Sequence, residues 1–138
     1  MYEEEVLDPE WDDDGSIVRS KEDLAELVVG HRIVSAELVT NEGYSYGGSD
    51  KTMVLTLDDG RRVKMRGYGD CCAFAEVNSF LLNPERIDHV ITGVGTTDGY
   101  TTWHVYADLG DVLELSVGWS CGNPFYYGYG FIFQVEDV

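Results

Sequence analysis

The sequence predicts an α+β domain, mainly antiparallel β: a single compact sheet-based unit with one short N-terminal helix. Three observations lead there. An Asp-Gly step at Asp59-Gly60 separates two runs of alternating apolar and polar residues, which is a hairpin signal. One segment, Ser20 to Gly30, carries helical spacing between a start and a stop signal. Further β-branched and aromatic runs are punctuated at short intervals by Gly and Asp, as antiparallel hairpins require. At 138 residues with 43% hydrophobic and 12% aromatic content, the chain suffices for one core without disulfide staples.

Taken in order, residues 1–16 read as an acidic arm and residues 17–138 as one β-rich domain. Glu10 to Ile17 places oxygen ligands and Gly15 at the relative positions of a calcium loop, but the twelfth position is Lys21. A loop of that kind needs a bidentate Glu there, so a solvated arm is the better reading. Ser20-Lys21-Glu22-Asp23 has the form of a capping box; Leu24, Leu27 and Val28 follow at helical spacing, and Gly30 supplies the C′ residue. Arg32 to Val39 is strand-like, and the Gly-, Ser- and Tyr-rich stretch 41–50 is a loop or hairpin tip. In the hairpin around Asp58-Asp59-Gly60, Met53, Leu55 and Leu57 share a face with Val63 and Met65. Arg62, Lys64 and Arg66 then form a basic stripe on the other face, either solvated and ion-paired or used for binding.

Beyond the hairpin, Cys71 to Val77 is read as a strand and Ser79–Arg86 as a short helical turn around Asn83-Pro84. Ile87 to Val94 is the next strand, closed by Gly95 to Gly99. Tyr100 to Ala107 and Val112 to Gly118 form a second hairpin across Asp108 to Asp111. The loop from Gly118 to Gly130 is rich in Gly and aromatics and leads into a last strand, Phe131 to Val135.

The formal net charge is −17, distributed unevenly. Residues 1–14 hold eight acids and no base; all nine Lys and Arg lie between Arg19 and Arg86; residues 87–138 hold seven acids and no Lys or Arg. That field repels phosphates and anionic lipid, so direct nucleic-acid or membrane binding is disfavoured and a protein partner fits better. No apolar run reaches the length of a membrane span, and no signal-peptide pattern precedes the domain. Three cysteines do not make a secreted disulfide framework, so the chain is expected to be cytoplasmic with reduced thiols.

Candidate chemistry is sparse. Adjacent Cys71 and Cys72 on a strand point to opposite faces and make a poor metal pair; Cys121, His89 or His104 would have to complete such a site. The favoured reading is apolar packing of the thiols, with Asp70 taking backbone N–H groups at the turn. His31, His89 and His104 with Asp70, Asp98 or Asp108 offer acid–base pairs, but no nucleophile elbow, phosphate loop or His-Glu-x-x-His is present. The expectation is therefore no enzyme, no cofactor and no metal. The segment Trp119 to Phe133 concentrates Trp119, Phe125, Tyr126, Tyr127, Tyr129, Phe131 and Phe133 without Lys or Arg. Aromatic rings on an adaptable backbone make an interface composition. Some of these rings close the core over a sheet end; the others, Trp119, Phe125, Tyr126, Tyr127 and Tyr129 foremost, are candidate partner-binding residues.

The run Leu27 to Glu37, the Leu57-Asp58-Asp59-Gly60 hairpin and Gly69-Asp70-Cys71-Cys72 occur in a recognisable order. Together they resemble an uncharacterised family of small actinobacteriophage and bacterial proteins, with Gly93 to Gly130 similar to the mycobacteriophage members. The resemblance covers roughly residues 24–133. It brings no activity and no catalytic residues. It implies a phage accessory protein, with Gly69, Asp70, Cys71 and Cys72 as a structural family motif. The expected function is non-enzymatic: binding and modulating a host bacterial protein through the aromatic loop and acidic surface, with a homodimer as another use of the same surface. The alternatives are an acidic DNA-mimic decoy of a DNA-binding host protein and a metal- or thiol-dependent enzyme.

Overall fold

In the computed structural model, residues 16–40, 48–68, 74–120 and 130–136 are described. Within them the chain runs α1 (Ser16–Val28), β1 (Ile33–Thr40), β2 (Gly48–Leu57), β3 (Arg62–Tyr68), β4 (Phe74–Leu82), β5 (Gly93–Thr97), β6 (Thr102–Ala107), β7 (Gly110–Ser120) and β8 (Gly130–Glu136). The strands form two four-stranded antiparallel sheets, ordered β1-β2-β3-β8 and β4-β7-β6-β5. This is the expected α+β arrangement with a short N-terminal helix.

The β2–β3 hairpin follows the alternation read from the sequence. Met53 pairs with Met65 and Leu55 with Val63, and all four, with Leu57, are buried. Gly60 closes the turn at φ +91°, a conformation that residues with a Cβ adopt at a cost. Helix α1 contributes Ile17, Leu24 and Val28 to the core, one stripe at helical spacing. It packs on β8 and β5, the outer strand of each sheet, and so closes the gap between the two edges. On the other side, β4 crosses beneath β2 and β3. Gly67 of β3 meets the Ala75 carbonyl of β4 so closely that a Cβ there would collide with backbone.

Several expectations are corrected. The helix starts at Ser16, four residues before the capping-box serine, because Ile17 is the first rung of the buried stripe. Ser20 is therefore an interior, buried residue, and its Oγ accepts the backbone N–H of Phe131 at 3.1 Å. Gly30 does adopt the left-handed conformation, φ +88°, but its N–H donates to the Ile91 carbonyl, 2.9 Å away. Ile91 in turn donates to the His31 carbonyl at 2.8 Å. That exchange draws residues 87–92 to the helix exit, so the expected strand there shrinks to Gly93–Thr97 and includes Gly95 to Thr97 rather than ending before them. Ser79 to Leu82 belongs to β4, paired with Leu113 to Ser116, and not to a helical turn; the turn begins only after Asn83. Gly48 to Asp50 extends β2 instead of lying in a loop.

Candidate functional site

The outer face of the first sheet is a regular grid set by strand register. Val39, Thr52, Arg66 and Ile132 form one cross-strand row; Glu37, Val54, Lys64 and Gln134 the next; Ser35, Thr56, Arg62 and Glu136 the third. Thr52, Val54, Lys64, Arg66, Ile132 and Gln134 line a shallow groove of about 240 Å³. Lys64 Nζ donates to Glu136 Oε1 at 2.6 Å. That hydrogen bond, followed by the charges of Lys64 and Arg62, holds the Glu136 carboxyl below its usual range. The basic stripe thus faces solvent as its alternation requires, and among the described residues one of its three cations, Lys64, is ion-paired. Ile132 remains half-exposed beside Arg66, while its neighbours Phe131 and Phe133 turn into or against the core.

The aromatic residues divide. Trp119 lies near the end of β7, half-buried against the core, and its indole N–H donates to the Gly99 carbonyl at 3.2 Å. Phe131 meets buried Trp103 edge-on, with ring centroids 5.3 Å apart at 73°. Phe125, Tyr126, Tyr127 and Tyr129 lie outside the described residues, as do Gly69, Asp70, Cys71, Cys72 and Cys121. By connectivity, residues 121–129 join β7 of one sheet to β8 of the other.

Two histidine clusters were not singled out by sequence reasoning. At the β2–β3 turn, His31 Nδ1 stands 3.2 Å from Asp58 Oδ1 and 3.7 Å from Asp59 Oδ2, while Arg61 donates to His31 Nε2 at 3.0 Å and to Asp59 Oδ2 at 2.7 Å. A guanidinium only donates, so Nε2 accepts and Nδ1 carries the ring hydrogen toward Asp58. The Asp58 carboxyl is slightly buried, which raises its pKa, but the His31 and Arg32 hydrogen bonds outweigh this and lower it. Asp59 is lowered chiefly by the Arg61 backbone N–H. With guanidiniums of Arg61 and Arg32 against these carboxylates, the cluster fastens a turn.

The second cluster lies on the outer face of the second sheet. His104, in the middle of β6, sits between buried Trp103 and Val105 and so points away from the core. Its Nδ1 is 2.7 Å from Asp111 Oδ2 and its Nε2 2.8 Å from Thr97 Oγ1. Glu114 stands directly across from His104 in the β6–β7 register. Asp111 and Glu114 are three apart on one strand, where plain alternation would put them on opposite faces. A bulge resolves this: Val105 pairs with Leu113 and Tyr106 with Asp111, so Val112 is the extra residue. Val112 and Leu113 are both buried, and Asp111 is returned to the face of His104. Sequence reasoning set His104 beside Asp70, Asp98 or Asp108 and not beside Asp111, because a bulge has no signature in an apolar pair such as Val112-Leu113.

No curated protein and no solved structure matches the chain. A family model, by contrast, matches residues 26–133, from the last turn of α1 into β8, leaving residues 1–25 and 134–138 outside the match. Spanning well over half of the sequence, that match shows that the chain belongs to the family described as Domain of unknown function (DUF7448).

Proposed function

We propose that the protein is a non-enzymatic phage accessory module that binds a host bacterial protein and alters its activity. The binding surface would run from the aromatic segment at the end of β7 into the groove over β2, β3 and β8. The observation that carries this reading is the alternation along β8: Phe131 is buried, whereas Ile132 stays exposed beside Arg66 at the groove. The strand leaving the aromatic segment thus offers apolar and cationic groups on one open face, a combination suited to protein–protein contact. The acidic surface supports fast association with a basic patch on the partner and deters nucleic acid.

An acidic decoy of DNA is the weaker reading. A decoy needs spaced, unneutralised carboxylates, yet Asp58, Asp59 and Glu136 are each matched by a neighbouring cation. Among the described residues no helix is long and apolar enough to cross a membrane, which fits action on a protein in the host interior.

Affinity purification of the tagged full chain from a bacterial host, followed by titration of the recovered partner with purified protein, tests the proposal. Tyr126→Ala with Tyr127→Ala, and separately Arg66→Ala, should weaken binding tenfold or more. Recovery of the same proteins at unchanged affinity by these variants, or recovery of only a second copy of this chain, would overturn it.

A further inference from the structure

We propose that His104, Asp111 and Glu114 form a binding site for a divalent transition-metal ion of the zinc or manganese class, with Thr97 holding the imidazole from its far side. One imidazole nitrogen, a borderline ligand, beside two hard carboxylates suits such ions better than calcium or magnesium, which prefer all-oxygen sets. Their ligand atoms already lie within 4.8 Å of one another. Small rotamer changes bring that spacing to a three-ligand site.

Three features favour a cation over a purely structural role. The bulge at Val112 spends a regular strand pairing on turning Asp111 to the side of His104, and bulges of this kind re-aim side chains near functional sites. Glu114 makes no hydrogen bond or ion pair among the described residues, yet it faces the same imidazole beside a second carboxylate. Two neighbouring carboxylates repel, and a cation between them removes that repulsion. Finally, a metal-bound imidazole ordinarily donates its other ring N–H to a fixed acceptor, and Thr97 Oγ1 stands 2.8 Å from Nε2 for that purpose.

The swap needs only a change of tautomer. Without metal, Nδ1–H donates to Asp111 and the Thr97 hydroxyl donates to Nε2. With metal, the Nδ1 lone pair binds the ion, the ring hydrogen sits on Nε2 and the Thr97 oxygen accepts it. Hydroxyl, imidazole and carboxylate in this order also occur in hydrolytic triads. A triad, however, gives Glu114 no task. The His31 cluster is a poor competitor, because the Arg61 and Arg32 guanidiniums already occupy its carboxylates.

Calorimetric titration of the full chain with zinc chloride and with manganese chloride tests the site, alongside long-range ¹H–¹⁵N spectra of the histidine rings. One saturable equivalent is expected, with the His104 ring nitrogens shifting and those of His31 unmoved. Glu114→Gln, which disturbs no hydrogen bond among the described residues, should weaken binding at least tenfold, and Asp111→Asn more. Thr97→Val should retain one equivalent at roughly tenfold lower affinity. His31→Gln should change nothing. Unchanged affinity in Glu114→Gln, loss of binding in His31→Gln, several weak equivalents with no His104 shift, or labelling of Thr97 by a fluorophosphonate in metal-free protein would each overturn the assignment.

Discussion

Ser20 illustrates how much one buried hydroxyl does in this fold. Its Oγ takes the Phe131 N–H, an edge-strand donor that the helix otherwise shuts away from water. Ser20→Ala leaves that donor unsatisfied and should cost about 1–3 kcal/mol, seen as a lower denaturation midpoint with an unchanged m value. The carboxylates of the 58–61 turn act at the same scale. Asp58 and Asp59 are both held below the ordinary range, so the folded state keeps them ionised more readily than the unfolded chain. Their contribution is fully present above about pH 4, the unfolded aspartate value, and is lost as pH falls through the lower folded values. Thermal melts from pH 6 down to pH 3 should therefore show a falling midpoint, and Asp59→Asn should flatten that fall. A slope unaffected by the substitution would place the acid sensitivity elsewhere.

Among the elements, the tightest constraint lies where β3 crosses β4. Gly67 admits the Ala75 carbonyl against its Cα, so the two sheets touch backbone to backbone there. Gly67→Ala must separate them and should cost more than about 4 kcal/mol, beyond the usual range for a single methyl. Circular dichroism and a denaturant titration would register it, and a near-wild-type midpoint would show that the sheets slide freely. The β6–β7 bulge is the counterpart on the other sheet. Deleting Val112 restores plain alternation yet leaves Asp111 next to inward-facing Leu113, hence still opposite Tyr106 on the face of His104, and removes one buried valine. The expected outcome is a loss of stability set by the missing apolar burial, about 1.5–3 kcal/mol for a valine, with the His104–Asp111 pair kept. Replacing Val112 by Ala, which keeps the bulge, should cost only the lost packing, and the comparison separates register from volume.

Over the whole molecule the charge decides behaviour more than any single pair. With 26 acids against nine Lys and Arg, net self-repulsion opposes the compact state. Raising ionic strength from about 10 mM to about 150 mM shortens the screening length from roughly 30 Å to roughly 8 Å. The melting temperature should rise over that interval, since screening relieves more repulsion than it removes from the few surface ion pairs. A falling melting temperature would mean that the pairs at the 58–61 turn and at Glu136 dominate. The same field makes a basic partner surface the natural complement of the proposed binding function, while the cationic groove provides a local exception that fixes orientation.

Local pattern alone determined the β2–β3 hairpin, its buried methionine and leucine face, the basic stripe opposite, the single short helix and the left-handed Gly30, because alternation, turn chemistry and helical spacing act over a few residues. The interior role of Ser20, the diversion of residues 87–92 to the helix exit, the Gly67–Ala75 contact and the return of Asp111 to His104 depend on residues 7 to 111 positions apart. Such contacts are chosen by how two sheets and a helix share one core. That choice belongs to packing in three dimensions, where an extra residue such as Val112 shifts a side chain to the other face without altering the apolar pattern that a linear reading detects.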